Sequence, residues 1–348
     1  MAPSSSPPIL RPRQGLPKKD FADYFKALKS QPYSDPAVAS RGSGSFTHNS
    51  LRSIAWNPLG SLVATGSIDK TIRVWNPDKP NVRFSTELKG HSASVEKVAF
   101  NPVKDAELAS LGADGVVKFW DVRTKASVNE VKGLGTANSM AWDPDGVSLL
   151  VSSKGGDLFR ISPSQSTVLS SNKQPSDVFQ MAFSWEGKRV FTPMRNGRVR
   201  ILSYPGLEPI AHYPYTMPSE ESNEFTLKGH TAPCYTAELS PTGRLLATGG
   251  GDSIVALFDT KDWLCQKTIS NLHGPVRSIS FTFDGNYIAA GCEDAPGIEV
   301  VSSESGDHVH TFKTATPSPA VAWAPTRYCL AYSDLGTLRI IGLDTDRK

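Results

Sequence analysis

A unit of roughly 42 residues recurs seven times in this chain of 348 residues, and that period constrains the fold more than any single residue does. Each unit has an aromatic or aliphatic residue that closes its first apolar run: Trp56, Phe100, Trp142, Phe183, Leu239, Phe281 and Trp323. The intervals between them are 44, 42, 41, 56, 42 and 42 residues. Turn chemistry follows every anchor, as in Asn57-Pro58, Asp143-Pro144 and Ser240-Pro241, because proline presets φ for a tight reversal. A second turn, such as Asp114-Gly115 or Asn196-Gly197, precedes a third run with alternating apolar residues (TIRVW, VVKFW, RVRIL). Alternation is the period-2 signature of strands with one buried face. Seven such four-stranded units predict an all-β chain, a seven-bladed propeller.

The clearest unit runs from Leu88 to Val122 and carries Gly90-His91 at its start and Trp120-Asp121 at its end, the pairing that marks a WD40 repeat. These residues suggest a structural relay. Asp114 in the tight turn holds His91, His91 reaches the Ser110 hydroxyl, and Ser110 meets the Trp120 indole N–H. A relay of this kind satisfies polar groups that blade stacking buries.

The last repeat stops after its third strand, at Leu343, so its fourth strand is expected from the N-terminal side, around Ser45-Phe46-Thr47. An unpaired edge there would invite aggregation. Residues 1–44 form an extension and 45–348 the propeller. Residues 1–17 are rich in Pro and Ser and expected to be disordered. Near residues 18–29, Phe21, Tyr24, Phe25 and Leu28 fall on one helical stripe. Two readings stay open for that stripe: packing on the propeller itself, or docking in a partner's groove. The 56-residue interval holds an acidic insertion at 213–225, either a solvated excursion or a partner site.

Charge is uneven. Residues 1–44 carry +4 while the rest sums to −1, so the body is not expected to bind nucleic acid autonomously, and any pull on RNA belongs to the tail. No apolar run suits a transmembrane helix, and the first residues lack an apolar secretion core. The four cysteines are widely spaced, which predicts reduced, mostly buried thiols of an intracellular protein and no zinc site. No phosphate-binding Gly-Lys loop and no spaced catalytic set is present, and His308-x-His310 lacks a carboxylate or thiol companion. The expectation is a non-enzyme with no catalytic, metal or cofactor residues and no small-molecule substrate.

Partner binding is expected at the channel mouth. Counting four residues back from each anchor gives Arg52, Glu96, Asn138, Phe179, Tyr235, Arg277 and Pro319, joined by Lys154, Arg195 and Glu293 near the second turns. Arg52, Phe179, Arg195, Tyr235, Arg277 and Glu293 are the candidate partner-binding residues, since Arg and aromatic side chains dominate interface hot spots.

Three stretches resemble the WD-repeat subunits of the THO/TREX mRNA-export complex: ILSYPGLEP after Arg200, SPTGRLLATGGGDSIVALFD (240–259) and PVRSISFTFDGNYIAAGCED (275–294). The likeness spans roughly residues 45–343. The fourth repeat departs by lacking the Asp/Trp pair, and the fifth closes on Phe258-Asp259. The resemblance implies a nuclear, non-catalytic scaffold that joins a large helical THO subunit. It also implies indirect links to a DEAD-box helicase, an export adaptor and mRNA, in a complex coupling transcription to export. Other classes remain open on the residues alone: a nuclear reader of peptides or histone tails, a weak RNA binder through the basic tail, or a ubiquitin-ligase adaptor.

Overall fold

The computed structural model describes residues 15–33, 51–79, 85–210 and 224–343. They form seven four-stranded antiparallel sheets and one α-helix, Lys18–Lys26. Blade 1 comprises Leu51–Trp56, Val63–Ser67, Thr71–Trp75 and Thr86–Lys89, and blade 2 comprises Val95–Phe100, Glu107–Gly112, Val117–Asp121 and Ala126–Val131. Blades 3 to 6 begin at Ala137, Ala182, Cys234 and Val276. Each innermost strand touches the innermost strand of the next blade, and Leu51–Trp56 touches Val321–Trp323, so the sheets close into the predicted seven-bladed WD40 propeller. Second strands such as Val63–Ser67 and Leu149–Ser153 are buried at every position because neighbouring blades cover both of their faces.

The core lies between blades. Ala64, Ile72 and Leu88 of blade 1 interlock with Val95, Val98, Leu108 and Trp120 of blade 2. First-strand indoles stitch other joints: Trp56 Nε1 donates to the Ala322 carbonyl between blades 1 and 7 at 2.9 Å, and Trp142 Nε1 to the Ala99 carbonyl between blades 3 and 2 at 3.1 Å. At the Asp114-Gly115 turn, Gly115 has φ +71°, and a Cβ there would fall 2.0 Å from the Gly135 carbonyl oxygen. Only glycine fits.

Blade 7 is built from Val321–Trp323, Leu330–Asp334 and Thr337–Ile341, and its fourth strand is Gln31–Tyr33. The register pairs Gln31 with Ile340, Pro32 with Arg339 and Tyr33 with Leu338. The closing strand does come from the N-terminal side, but earlier than Ser45-Phe46-Thr47, which lie outside the described residues. Thr337–Ile341 has one free edge, and Gln31–Tyr33 occupies it. Proline is tolerated there because an outermost strand leaves one row of N–H groups unused. Tyr33 also packs edge-on against Trp75 of blade 1 at 5.6 Å, and Tyr332 Oη donates to Ser30 Oγ at 2.7 Å, so one short segment clasps first and last blades together.

The helix settles the question left by its stripe. Phe21 is 0% and Phe25 2% exposed, buried with Tyr287, Phe312, Trp323 and Tyr328 between blades 6 and 7, while Tyr24 and Leu28 pack half-buried beside them. The rings that the stripe would offer a partner are covered by the chain's own groove, the first of the two readings. The Leu16 backbone donates to Tyr328 Oη at 2.8 Å and accepts from Tyr287 Oη at 2.6 Å, and Lys18 pairs with Asp307 at 2.5 Å. Residues 1–14 and 211–223, including most of the acidic insertion, lie outside the described residues. Its Glu224 forms a close ion pair with the buried guanidinium of Arg200.

Truncating a fully buried Phe to Ala removes its transfer free energy and leaves a cavity, so Phe21→Ala is expected to cost about 3–5 kcal/mol in denaturant unfolding of the full chain. Lys19→Ala, on the exposed side of the helix, should stay within about 0.5 kcal/mol. Equal effects would mean the helix is not docked in solution.

Candidate partner-binding site at the channel mouth

Five first strands begin with a β-bulge at the same place. Leu51 and Ser53 pair with Ser67 and Gly66, leaving Arg52 as the extra residue. The same register shift leaves Glu96, Asn138, Tyr235 and Arg277 as the extra residues of blades 2, 3, 5 and 6. A bulge bends its strand and re-aims one side chain. These five, with Phe179 and Pro319 at the matching places of blades 4 and 7, line a cavity of about 430 Å³ at the channel mouth.

Five of the six candidate partner-binding residues meet there: Arg52, Phe179, Tyr235, Arg277 and Glu293. Arg277 is the hub. Its Nε lies 2.6 Å from Glu293 Oε2, and its guanidinium stacks over the Tyr235 ring at 3.9 Å. Phe179 meets Tyr235 edge-on at 5.2 Å, and Arg52 and Glu96 approach to 3.8 Å across the rim. Arg195 stands apart. It is 71% exposed, pairs with Asp177 at 3.1 Å, and does not line the cavity. Lys154 is likewise outside the lining.

Deeper in the channel are groups that sequence reading passed over. Lys97 Nζ donates to Gln180 Oε1 at 3.1 Å, and Glu238 accepts the Phe281 N–H at 3.0 Å. Burial lowers Lys97 to about 8 and raises Glu238 to about 7, each only partly offset by the opposite charge of the other. The signal was present in the repeat. Three residues before the anchor, other blades place Ser53, Ser139, Thr236, Ser278 and Ala320, whereas blades 2 and 4 place Lys97 and Gln180. One residue before the anchor stand Ala55, Ala99, Ala141, Ala182, Ser280 and Ala322, but Glu238 in blade 5. The small residues are what a packed inner strand wants; the exceptions mark where the channel turns polar.

The relay residues are gathered in blade 2. Ser110 Oγ lies 2.7 Å from His91 Nε2 and accepts the Trp120 indole N–H at 2.8 Å. In the Nδ1–H tautomer, the one that turns its proton toward the Asp114 carboxylate, Nε2 accepts from the Ser110 hydroxyl. Burial keeps that imidazole below its ordinary pKa, with Asp114 opposing. The Asp114 link is looser than expected: Nδ1 to Oδ1 is 3.6 Å, beyond a hydrogen bond, because the carboxylate is held by the Ser92 hydroxyl at 2.6 Å and the Ser92 and Val116 N–H groups. Blade 5 has the complementary arrangement. There His230 Nδ1 meets Asp252 at 3.0 Å and Nε2 meets Thr248 at 2.8 Å, and Phe258 stands where blade 2 has Trp120.

No group of three or more His, Cys, Asp or Glu suited to a metal occurs among the described residues. His308 is instead engaged by Glu299 at 3.0 Å and Thr311 at 2.9 Å. Cys234, Cys292 and Cys329 are buried free thiols and Cys265 is exposed.

The family model described as WD domain, G-beta repeat matches residues 43–76, 83–121 and 221–259, and an anaphase-promoting complex subunit 4 WD40 domain model matches 263–333. The chain is 32% identical to THO complex subunit 3 of Arabidopsis thaliana over 333 residues, covering 92% of this chain and 98% of the relative. It is also 32% identical to WD repeat-containing protein AAC3 of Dictyostelium discoideum, covering 81% of this chain and 61% of that one. Among solved structures, the β-propeller domain of Cps50 (Swd1) from Myceliophteria thermophila superposes with a TM-score of 0.72 at 16% identity, covering 84% of this chain and 96% of that domain, a likeness of fold alone.

Two outcomes follow from this geometry. Trp120→Phe reproduces the blade 5 arrangement and removes one buried hydrogen bond without stranding Ser110, so it should cost about 0.5–1.5 kcal/mol in denaturant unfolding. Glu238 is held near pKa 7 in the folded chain against an ordinary 4.5. Between those values the folded chain keeps a proton that the unfolded chain releases, so stability falls as pH rises through the window. Relative to Glu238→Gln, the natural chain should lose stability from pH 4.5 to 7 and show a flat difference below that range. A difference independent of pH across that range would show that Glu238 titrates as a surface carboxylate.

Proposed function

Because this chain belongs to the family of THO complex subunit 3, we propose that it is a non-catalytic scaffold subunit of a THO complex, working in the nucleus. The observation that carries this reading is the extent of the match, which runs through nearly the whole of both chains and not through one repeat. In this reading the propeller joins a large helical THO subunit. Through it the propeller serves TREX, which couples transcription to mRNA export with a DEAD-box helicase, an export adaptor and mRNA as indirect partners. No bond is made or broken. The ring acts by mass action, holding partners at a fixed geometry.

The channel mouth is the proposed contact. Its side chains stand on bulges of strands that pair with the second strand of their own blade and pack against the first strands of neighbouring blades, so they meet a partner with little entropy left to lose. The face of Tyr235 is already taken by Arg277, which disfavours a free aromatic cage for a methylated histone tail.

The test is affinity purification of the tagged full-length chain from nuclear extract, with and without RNase. A stoichiometric set of large helical subunits that survives RNase is the expected result, and loss of all partners on RNase treatment overturns it. In the same assay Tyr235→Ala with Arg277→Ala should lower partner recovery at least about tenfold, as loss of a hot spot does. Arg195→Ala reports separately on the outer rim of that face.

A further inference from the structure

The turns after the first strands lie on the face opposite the mouth, and on four consecutive blades they display exposed apolar side chains: Leu59, Val103, Val147 and Trp185. Between blades 2 and 3 this surface dips into a groove of about 690 Å³ lined by Val103, Val128 and Val147, which are 64%, 61% and 67% exposed. Three valines this open converge on one groove, which makes a contiguous apolar patch and not scattered exposed side chains.

The same molecule shows what such a groove holds. Between blades 6 and 7 the matching groove is filled by the helix Lys18–Lys26, with Phe21 and Phe25 one turn apart against Tyr328 and the outer strand His308–Pro317. Tyr328 is the fifth residue after the anchor Trp323, and Val147 is the fifth after Trp142. Val128 lies on the outer strand Ala126–Val131, the counterpart of His308–Pro317. The blade 6–7 helix brings a basic end to an acidic rim, with Lys18 on Asp307.

The rim of the blade 2–3 groove is acidic as well. Lys104 is taken by Glu107 at 2.7 Å, and Arg123 lies 3.5 Å from Asp121. Asp105 and Asp145 form no ion pair among the described residues and leave a net negative rim around the valines. We propose that the groove between blades 2 and 3 docks an amphipathic helix of a partner protein, whose apolar residues one turn apart fill the valine-lined floor and whose flanking lysines or arginines meet Asp105 and Asp145. This is a second binding surface, on the face opposite the mouth, and it does not depend on which complex the chain joins.

The test uses the full-length tagged chain with Val147→p-benzoylphenylalanine, photo-activated in the intact assembly and mapped by peptide sequencing. The expected adduct is a partner segment with apolar residues spaced three and four apart and flanked by Lys or Arg. Adding Asp105→Lys and Asp145→Lys should lower its yield at least about fivefold, both positions being exposed and remote from the core. An unchanged melting temperature shows that the ring is intact. No adduct, an adduct to an acidic segment, to nucleic acid or to a second copy of the chain, or a yield indifferent to charge reversal would each overturn the proposal. The subunits present in the same preparation report on the THO reading independently, so the two can fail separately.

Discussion

The ring depends on the join between its first and last blades, and the last blade is completed by three residue pairs, Gln31 with Ile340, Pro32 with Arg339 and Tyr33 with Leu338. Each blade has too little apolar surface of its own and is stable because its neighbours cover both faces. A ring extends that benefit to every blade only when first and last are joined. Here the join is made by backbone pairing on the outer edge of blade 7, by Tyr33 against Trp75, and by the Trp56 indole on the Ala322 carbonyl. The aromatic helix adds a lock on the same side of the ring, inserting two phenylalanines between blades 6 and 7.

Within the closed ring, polarity is sorted by distance from the axis. Inter-blade layers are apolar and tight, and Ser110 shows how a buried polar group is accommodated there, bridging His91 and Trp120. The axis is different. Strand bulges turn Arg52, Glu96, Tyr235 and Arg277 into the mouth, and Lys97 and Glu238 carry opposite charges further down. Those two groups pull each other toward ionisation while burial pulls both away from it, so the channel stays close to charge balance.

The repeating parts were legible because they recur. Anchors, turns and third strands each appear seven times, and counting four residues back from an anchor reaches the mouth because that position is the bulge. The bulge itself left no trace in residue type, since Arg52, Glu96, Asn138 and Tyr235 have nothing in common. The closing strand was misplaced to Ser45-Phe46-Thr47 because Gln31-Pro32-Tyr33 has a proline and no alternation; its strand character comes wholly from the edge it meets. The helical stripe was visible, but only the packed structure distinguishes a self-docked helix from one offered to a partner. The Asp114 link loosened because Ser92, a neighbour with no special place in the repeat pattern, competes for the carboxylate. Arg195 lies in the right turn but is drawn to Asp177 on the rim, whereas Glu293 in the matching turn of blade 6 pairs with Arg277 inside the mouth.

The closure has a consequence in time. Ser30 and Tyr332, joined by a hydrogen bond in the finished ring, are 302 residues apart in the chain. At translation rates of about 5–20 residues per second, the closing strand is made roughly 15–60 s before the edge it will pair with. Through that interval the growing arc of blades carries an uncovered flank, and the phenylalanines of the helix wait for a groove whose second wall, Tyr328 and Trp323, belongs to the seventh blade. The nascent chain therefore carries its exposed rings and open flank until blade 7 is made, and is relieved of both almost at once.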